Sequence, residues 1–222
     1  RFGRLKLNNA EYTARDLAVH TENDGDFLGT AAISSAYFKN GKNTDEIQTA
    51  EVKVYAIKGI QPIAAVAVRF SETDECSYAY VNSFYTPKTL GDFISDVNLK
   101  ENLKTELCYF YSNEAENDVV VYEDVPTGVV WDKLLNDMTV VNEPDKQVGS
   151  ELMSISAKID VLGYSNMTVS LTEDGYLWTN ILDTGKYFYI GEEKIKAFVN
   201  EIITTHQGYQ YIYDLITDGE PE

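Results

Sequence analysis

Apolar and polar positions alternate most clearly across residues 50–57, where Val52, Val54 and Ala56 fall on one side and Glu51, Lys53 and Tyr55 on the other. A period of two predicts a β-strand with one buried face. Gly59 and Pro62 interrupt it, residues 63–70 resume as a second strand, and 76–81 form a third after the acidic turn at 71–75. Three successive strands with short links predict an antiparallel meander. The period then changes. Thr89, with Asp92 three residues later, is a capping-box arrangement, and Leu90, Phe93, Ile94 and Val97 follow at helical spacing.

Residues 106–112 and 118–122 read as a strand pair around a turn at 113–117, and 126–135 as a helix with Val130, Trp131, Leu134 and Leu135 inward. The polar stretch 142–150 reads as a linker. Beyond it, 154–161, 166–171 and 176–181 form a second strand series, with Asp174-Gly175 as a hairpin signal because glycine accepts positive φ. The clearest helix spans 191–205, where Ile195, Phe198, Val199, Ile202 and Ile203 share a face and Glu192 and Glu193 sit at the positive end of its dipole. Residues 209–216 return to strand-like alternation. The first forty residues are less regular: 11–19 reads as a short helix carrying Tyr12, Leu17 and Val19, 27–38 fits strand or helix, and 40–43 is a turn.

Together these elements predict an α+β fold: antiparallel sheets of short strands, each packed by amphipathic helices. An N-terminal module with a leading segment would occupy 1–141 and a C-terminal module 151–222. Both run from strands into an amphipathic helix, an outline that duplication or the common economy of α+β folds would each explain.

Composition narrows the partners. The 222 residues carry 36 Asp and Glu against 18 Lys and Arg, a net charge of -18, together with 16 Tyr and 9 Phe. The aromatic content separates the chain from acidic disordered segments. The charge argues against nucleic acid and anionic lipid, which are captured by clustered Lys and Arg, and no basic cluster interrupts it. No run is long enough to cross a bilayer as a helix. Cys76 and Cys108, both in expected strands, suit buried thiols or a disulfide.

Catalytic vocabulary is sparse. His20 and His206 are far apart, and no HExxH, GxSxG or phosphate-cradling glycine loop is present. His206 suits a helix C-terminus. Glu22, Asp24 and Asp26 read as solvated charge, with a weak calcium site as the alternative. Carboxylate pairs for glycoside or peptide hydrolysis would need a cleft that sets two acids apart in pKa. No catalytic, metal-binding or cofactor-binding residue is assigned.

Tyrosines recur at a spacing of two: Tyr78 and Tyr80, Tyr109 and Tyr111, Tyr187 and Tyr189, and Tyr209, Tyr211 and Tyr213. Such ladders suit half-buried sheet faces, where the ring packs and the hydroxyl reaches water. They stabilise a sheet or form a recognition surface. Tyr109, Tyr111, Tyr187 and Tyr189 are the candidate ligand-binding residues, with Trp178 beside them.

The stretches EVKVYAIKGIQPIAAVAVRF, YAYVNSFYTPKTLGDFISDVNLKENL and VLGYSNMTVSLTEDGYLWTNILDTGKYFYIG resemble the extracytoplasmic regions of Gram-positive, particularly clostridial, membrane proteins. These include anti-sigma-like regulators and metallopeptidase sensors of the beta-lactam-receptor type. The resemblance covers residues 51–199 and rests on Lys58, Gly59, Pro62, Tyr85, Pro87, Lys88, Leu90, Gly91, Thr184 and Gly185, whose evident jobs are turns and helix entry. It implies an extracytoplasmic location with a membrane tether preceding Arg1. It carries no zinc motif and no catalytic residue. The expected function is a non-enzymatic sensing or interaction module binding a protein, peptide or envelope ligand. The alternatives are a secreted carboxylate-dependent hydrolase and a structural spacer.

Overall fold

The computed structural model describes residues 3–39, 42–112, 118–183 and 185–212. Six strands come first: β1 (Arg4–Leu7), β2 (Ala10–His20), β3 (Asp24–Lys39), β4 (Lys42–Ile57), β5 (Ala65–Arg69) and β6 (Cys76–Asn82). They close into a barrel in the order β1-β2-β6-β5-β4-β3, sealed where β1 pairs with β3 through Arg4–Ser34 and Leu5–Ile33. The expected meander supplies β4, β5 and β6. Val52 and Val54 lie in the barrel's core with Leu5, Tyr12, Ile33, Val66, Val68 and Tyr80. A small barrel is narrow enough to be filled by its own side chains.

The opposite face of β4, β5 and β6 is buried as well. Ile57, Ala65, Ala67 and Val81 belong to a second, larger core shared with the rest of the chain. That core is built from α1 (Leu90–Asp96), α2 (Leu99–Asn102), β7 (Leu103–Tyr111), β8 (Asp118–Glu123), α3 (Thr127–Lys133), β9 (Glu151–Ile159), β10 (Tyr164–Thr172), β11 (Tyr176–Thr179), β12 (Lys186–Tyr189) and α4 (Glu192–Thr205). With β13 (Gly208–Ile212) the strands form a seven-stranded antiparallel sheet, ordered β12-β11-β10-β9-β7-β8-β13. Phe188, Leu177, Leu171 and Met153 make one cross-strand row on its inner face, and Val169, Ile155, Cys108 and Tyr122 another. Leu90 and Phe93 of α1, Val130 of α3, and Ile195, Phe198 and Ile202 of α4 complete the same core.

Local chemistry explains the element ends. At α1 the capping box forms as expected: Asp92 N donates to Thr89 Oγ1 at 3.0 Å, and Thr89 N donates to Asp92 Oδ2 at 3.1 Å. Such a cap contributes about 1 kcal/mol. At the β10–β11 hairpin Gly175 has φ +91°, and a Cβ there would lie 2.7 Å from both Glu192 N and Tyr189 Cε2. Only glycine fits that approach.

The α+β expectation is overturned. The described residues hold a closed six-stranded barrel, a second antiparallel sheet and four short helices, so the chain is mostly β. Residues 11–19 belong to strand β2, not to a helix. The pairing of β2 with β6 shifts register between Ala14 and Ala18, and a bulge reverses which parity faces inward. Tyr12 and Val19 are therefore both buried although they differ in parity, which scrambles the alternation. Residues 27–38 lie in β3, whose pairing with β4 carries three such irregularities.

The expected linker joins strands of one sheet. β7 and β9 pair directly across it. Asn142 Oδ1 accepts from Tyr187 N at 2.9 Å and Glu143 N donates to Tyr187 O at 2.9 Å, so this segment covers the outer edge of β12. Arg15 of β2 ties the barrel to the sheet: its Nε donates to Tyr164 Oη at 2.9 Å, and its guanidinium pairs with Asp183.

Candidate functional site: the outer face of the sheet

Strand alternation sends the other side chains of the seven strands away from the core. Cross-strand pairing places them in order: Tyr187 opposite Trp178, Trp178 opposite Ser170, Ser170 opposite Ser154, Ser154 opposite Tyr109, Tyr109 opposite Val121, and Val121 opposite Tyr209. One row of this face thus runs aromatic, aromatic, hydroxyl, hydroxyl, aromatic, aliphatic, aromatic. Tyr189 opposite Tyr176 and Tyr111 opposite Val119 extend the two aromatic borders.

All five sequence-predicted residues share this face. Trp178 and Tyr187 pack with ring centroids 6.3 Å apart, and Tyr189 stands edge-on to Tyr176 at 5.3 Å. Across the sheet, Tyr109 and Tyr111 meet edge-on at 6.1 Å. Tyr111 is 62% exposed and Tyr189 48%, whereas Tyr109, Tyr187 and Trp178 are half-buried. Two groups form rather than one. Trp178 and Tyr109 stand on strands three spacings apart, ~14 Å.

Between them runs a stripe that periodicity did not single out. Ser154 and Ser170 are buried beneath the level of the rings, with their hydroxyls 3.0 Å apart. Ser170 Oγ donates to Glu151, so the shared hydrogen in the serine pair belongs to Ser154. Further along β9, Ser156 Oγ donates to Glu106 Oε2 at 3.0 Å, and Asn166 N donates to the same oxygen at 3.2 Å. Serine at alternate positions of β9, facing hydroxyls on β10, is the signal that would have found it. Gly185 supports the Trp178 border: a Cβ there would lie 3.0 Å from Trp178 Nε1 and from Tyr187 Cε2.

Elsewhere the unusual groups serve the fold. Lys186 is fully buried. Its Nζ donates to Ile181 O at 2.7 Å and lies 5.6 Å from the Tyr85 ring centroid and 5.4 Å from that of Phe93. Burial pulls its pKa down to about 7. Tyr85 Oη donates to Asp96 Oδ2 at 3.1 Å; burial raises the phenol and also raises Asp96, with Asp92 adding to both. Asp92 and Asp96 line a cleft of ≈ 340 Å³ with Phe84 and Lys88. A hydrolase would ask for two such acids, but Asp92 caps α1 and Asp96 holds Tyr85, so both carboxylates are engaged in the fold.

Asp24 is paired with Arg69 and accepts from Ser77 Oγ at 2.8 Å, which takes it out of the acidic loop considered for calcium. Among the described residues no group of three His, Cys, Asp or Glu side chains is placed to hold a metal ion. Cys76 and Cys108 are free thiols, and burial pushes Cys108 up to about 12. Tyr80 turns into the barrel core, while Tyr78 stands edge-on to Phe70 at 5.7 Å. Thr184, Tyr213 and the acidic positions 214–222 lie outside the described residues. No described helix is long and apolar enough to cross a membrane.

No family model, curated protein or solved structure matches this chain.

Proposed function

We propose that this chain is a non-enzymatic, extracytoplasmic interaction module of a membrane-anchored protein, which takes a protein or peptide partner on the outer face of its seven-stranded sheet. The location and the tether rest on the sequence resemblance. The recognition role is supported chiefly by one arrangement: Tyr109 and Tyr111 on one side of a hydroxyl stripe, Trp178, Tyr187 and Tyr189 on the other. Aromatic rings with polar tips are enriched where protein surfaces meet partners, because they bury large area at small entropic cost.

The test is affinity capture with the 222-residue chain as bait and Tyr109→Ala/Tyr111→Ala as the matched control. Thermal unfolding must first show that the control is folded. The expected result is a protein captured by the wild type and lost with the variant. Identical captured sets would overturn the assignment of this face. A coding sequence upstream of Arg1 that specifies a secretion signal without a membrane-spanning segment would overturn the tether.

A further inference from the structure

The stripe offers a ligand almost nothing but acceptors. Ser154 donates to Ser170, Ser170 to Glu151, and Ser156 to Glu106, so each hydroxyl hydrogen is already committed along a chain ending on a carboxylate. Ser154 and Ser170 are buried, whereas Glu151 is exposed and Glu106 half-buried, so what the stripe presents outward is carboxylate oxygen, an acceptor. A neutral sugar needs donors as well as acceptors, and on this face the donors lie in the borders rather than in the stripe: in the tyrosine hydroxyls and in Trp178 Nε1, which is buried without a partner among the described residues. A cation needs acceptors alone.

Charge on the face is lopsided in the same sense. Its lysines are neutralised locally: Lys104 and Lys158 pair with Asp160, and Lys146 pairs with Glu143 while lying 4.8 Å from the Tyr176 ring centroid. Glu106 and Glu151 have no basic partner among the described residues. Their carboxylates are reached by Ser170, which lies opposite Ser154, and by Ser156, anchor points two residues apart along β9, ~7 Å at ~3.3 Å per residue. The π faces bordering the stripe also favour cations. Elsewhere in the molecule tyrosines already hold Arg15 at 5.7 Å and Arg69 at 4.9 Å. A net charge of -18 adds long-range attraction.

We infer that the stripe seats an extended, lysine- or arginine-bearing segment of a protein partner, its cationic heads on Glu106 and Glu151 and its stems against Tyr109 and Trp178. This rests on the proposed recognition role of the face. The ~14 Å between the aromatic borders accommodates one extended strand, and the carboxylate anchor points match cationic residues about two apart.

Fluorescence anisotropy with the full chain tests it, using a labelled alternating Lys-Ser dodecapeptide, a Glu-Ser dodecapeptide and chitohexaose as competitor. The Lys-Ser peptide is expected to bind and the Glu-Ser peptide to fail. Glu106→Gln/Glu151→Gln retains the acceptor for each serine and is expected to weaken binding about tenfold, the scale of two partly exposed ion pairs. Glu75→Gln/Glu101→Gln makes the same charge change elsewhere and should leave binding within about twofold. Equal weakening by both pairs would mean diffuse attraction and overturn the inference. Binding of chitohexaose alone, abolished by Tyr109→Ala/Tyr111→Ala, would overturn the cationic partner while sustaining the face. If neither probe binds and the captured sets are identical, the inference and the proposed role fail together.

Discussion

The barrel and the open sheet are built from the same kind of strand, antiparallel and rich in tyrosine and small aliphatic residues, yet they treat an aromatic ring in opposite ways. Closure gives the barrel an inside, and Tyr12 and Tyr80 are buried there among valines. The sheet's inner face is covered by helices and by the barrel wall, while its outer face carries half-exposed tyrosines. Residue type does not decide between the two fates. What decides is whether the strand edges find each other, as β1 and β3 do, or the sheet stays open.

The largest expected effect follows from that difference. Tyr80→Ala empties the middle of the barrel, where the side chain is 1% exposed, and should cost about 3–5 kcal/mol, as aromatic-to-alanine changes in packed cores do. Urea denaturation followed by far-UV circular dichroism measures it. A loss below about 1 kcal/mol would mean the barrel does not close around this ring.

How far the sequence carried the fold follows the same divide. Strands with uninterrupted alternation, such as the 50–57 stretch, were legible, as were helix starts written in side-chain chemistry, such as Thr89 with Asp92. The barrel was not legible. Its first strands carry bulges that swap parity, so Tyr12 and Val19 gave a helix-like spacing, and closure through Leu5 and Ile33 joins positions with no local signature. For the candidate site, i,i+2 tyrosine pairs picked out residues that the structure places on one sheet face. Their shared face depended on β7 pairing with β9, a contact between residues about fifty positions apart. Lys186 was invisible because nothing in KYFY distinguishes an inward lysine from an outward one, until Phe188 fixes the parity of the strand.

Lys186 gives the second prediction, on the covered side of the sheet. Its folded pKa is lowered to about 7 from an ordinary 10.5, so between those values the unfolded chain binds a proton that the folded chain does not. Stability should therefore rise with pH from about 7, by at most about 1.4 kcal/mol per pH unit. Cys108 opposes this above its ordinary value of 9.0, because burial keeps the folded thiol protonated to about 12. The clean window is pH 7 to 9. Denaturation midpoints should climb across it in the wild type, and Lys186→Met should remove the climb. An unchanged slope in the variant would assign the dependence to other groups.

The smallest effect is expected on the sheet's outer face. Tyr111 is 62% exposed and meets Tyr109 edge-on, so Tyr111→Ala removes one exposed ring contact and little burial. Its cost should stay near 0.5 kcal/mol, within the range of surface substitutions. The same denaturation assay used for Tyr80→Ala reads both, which makes the pair a direct comparison of a closed and an open sheet. If Tyr111→Ala cost as much as Tyr80→Ala, the outer face would be an interior, buried by some part of the protein against the folded sheet. The aromatic borders would then be core packing, with no surface left for a partner. A small loss, alongside loss of the captured protein, places the ring's contribution in recognition rather than folding.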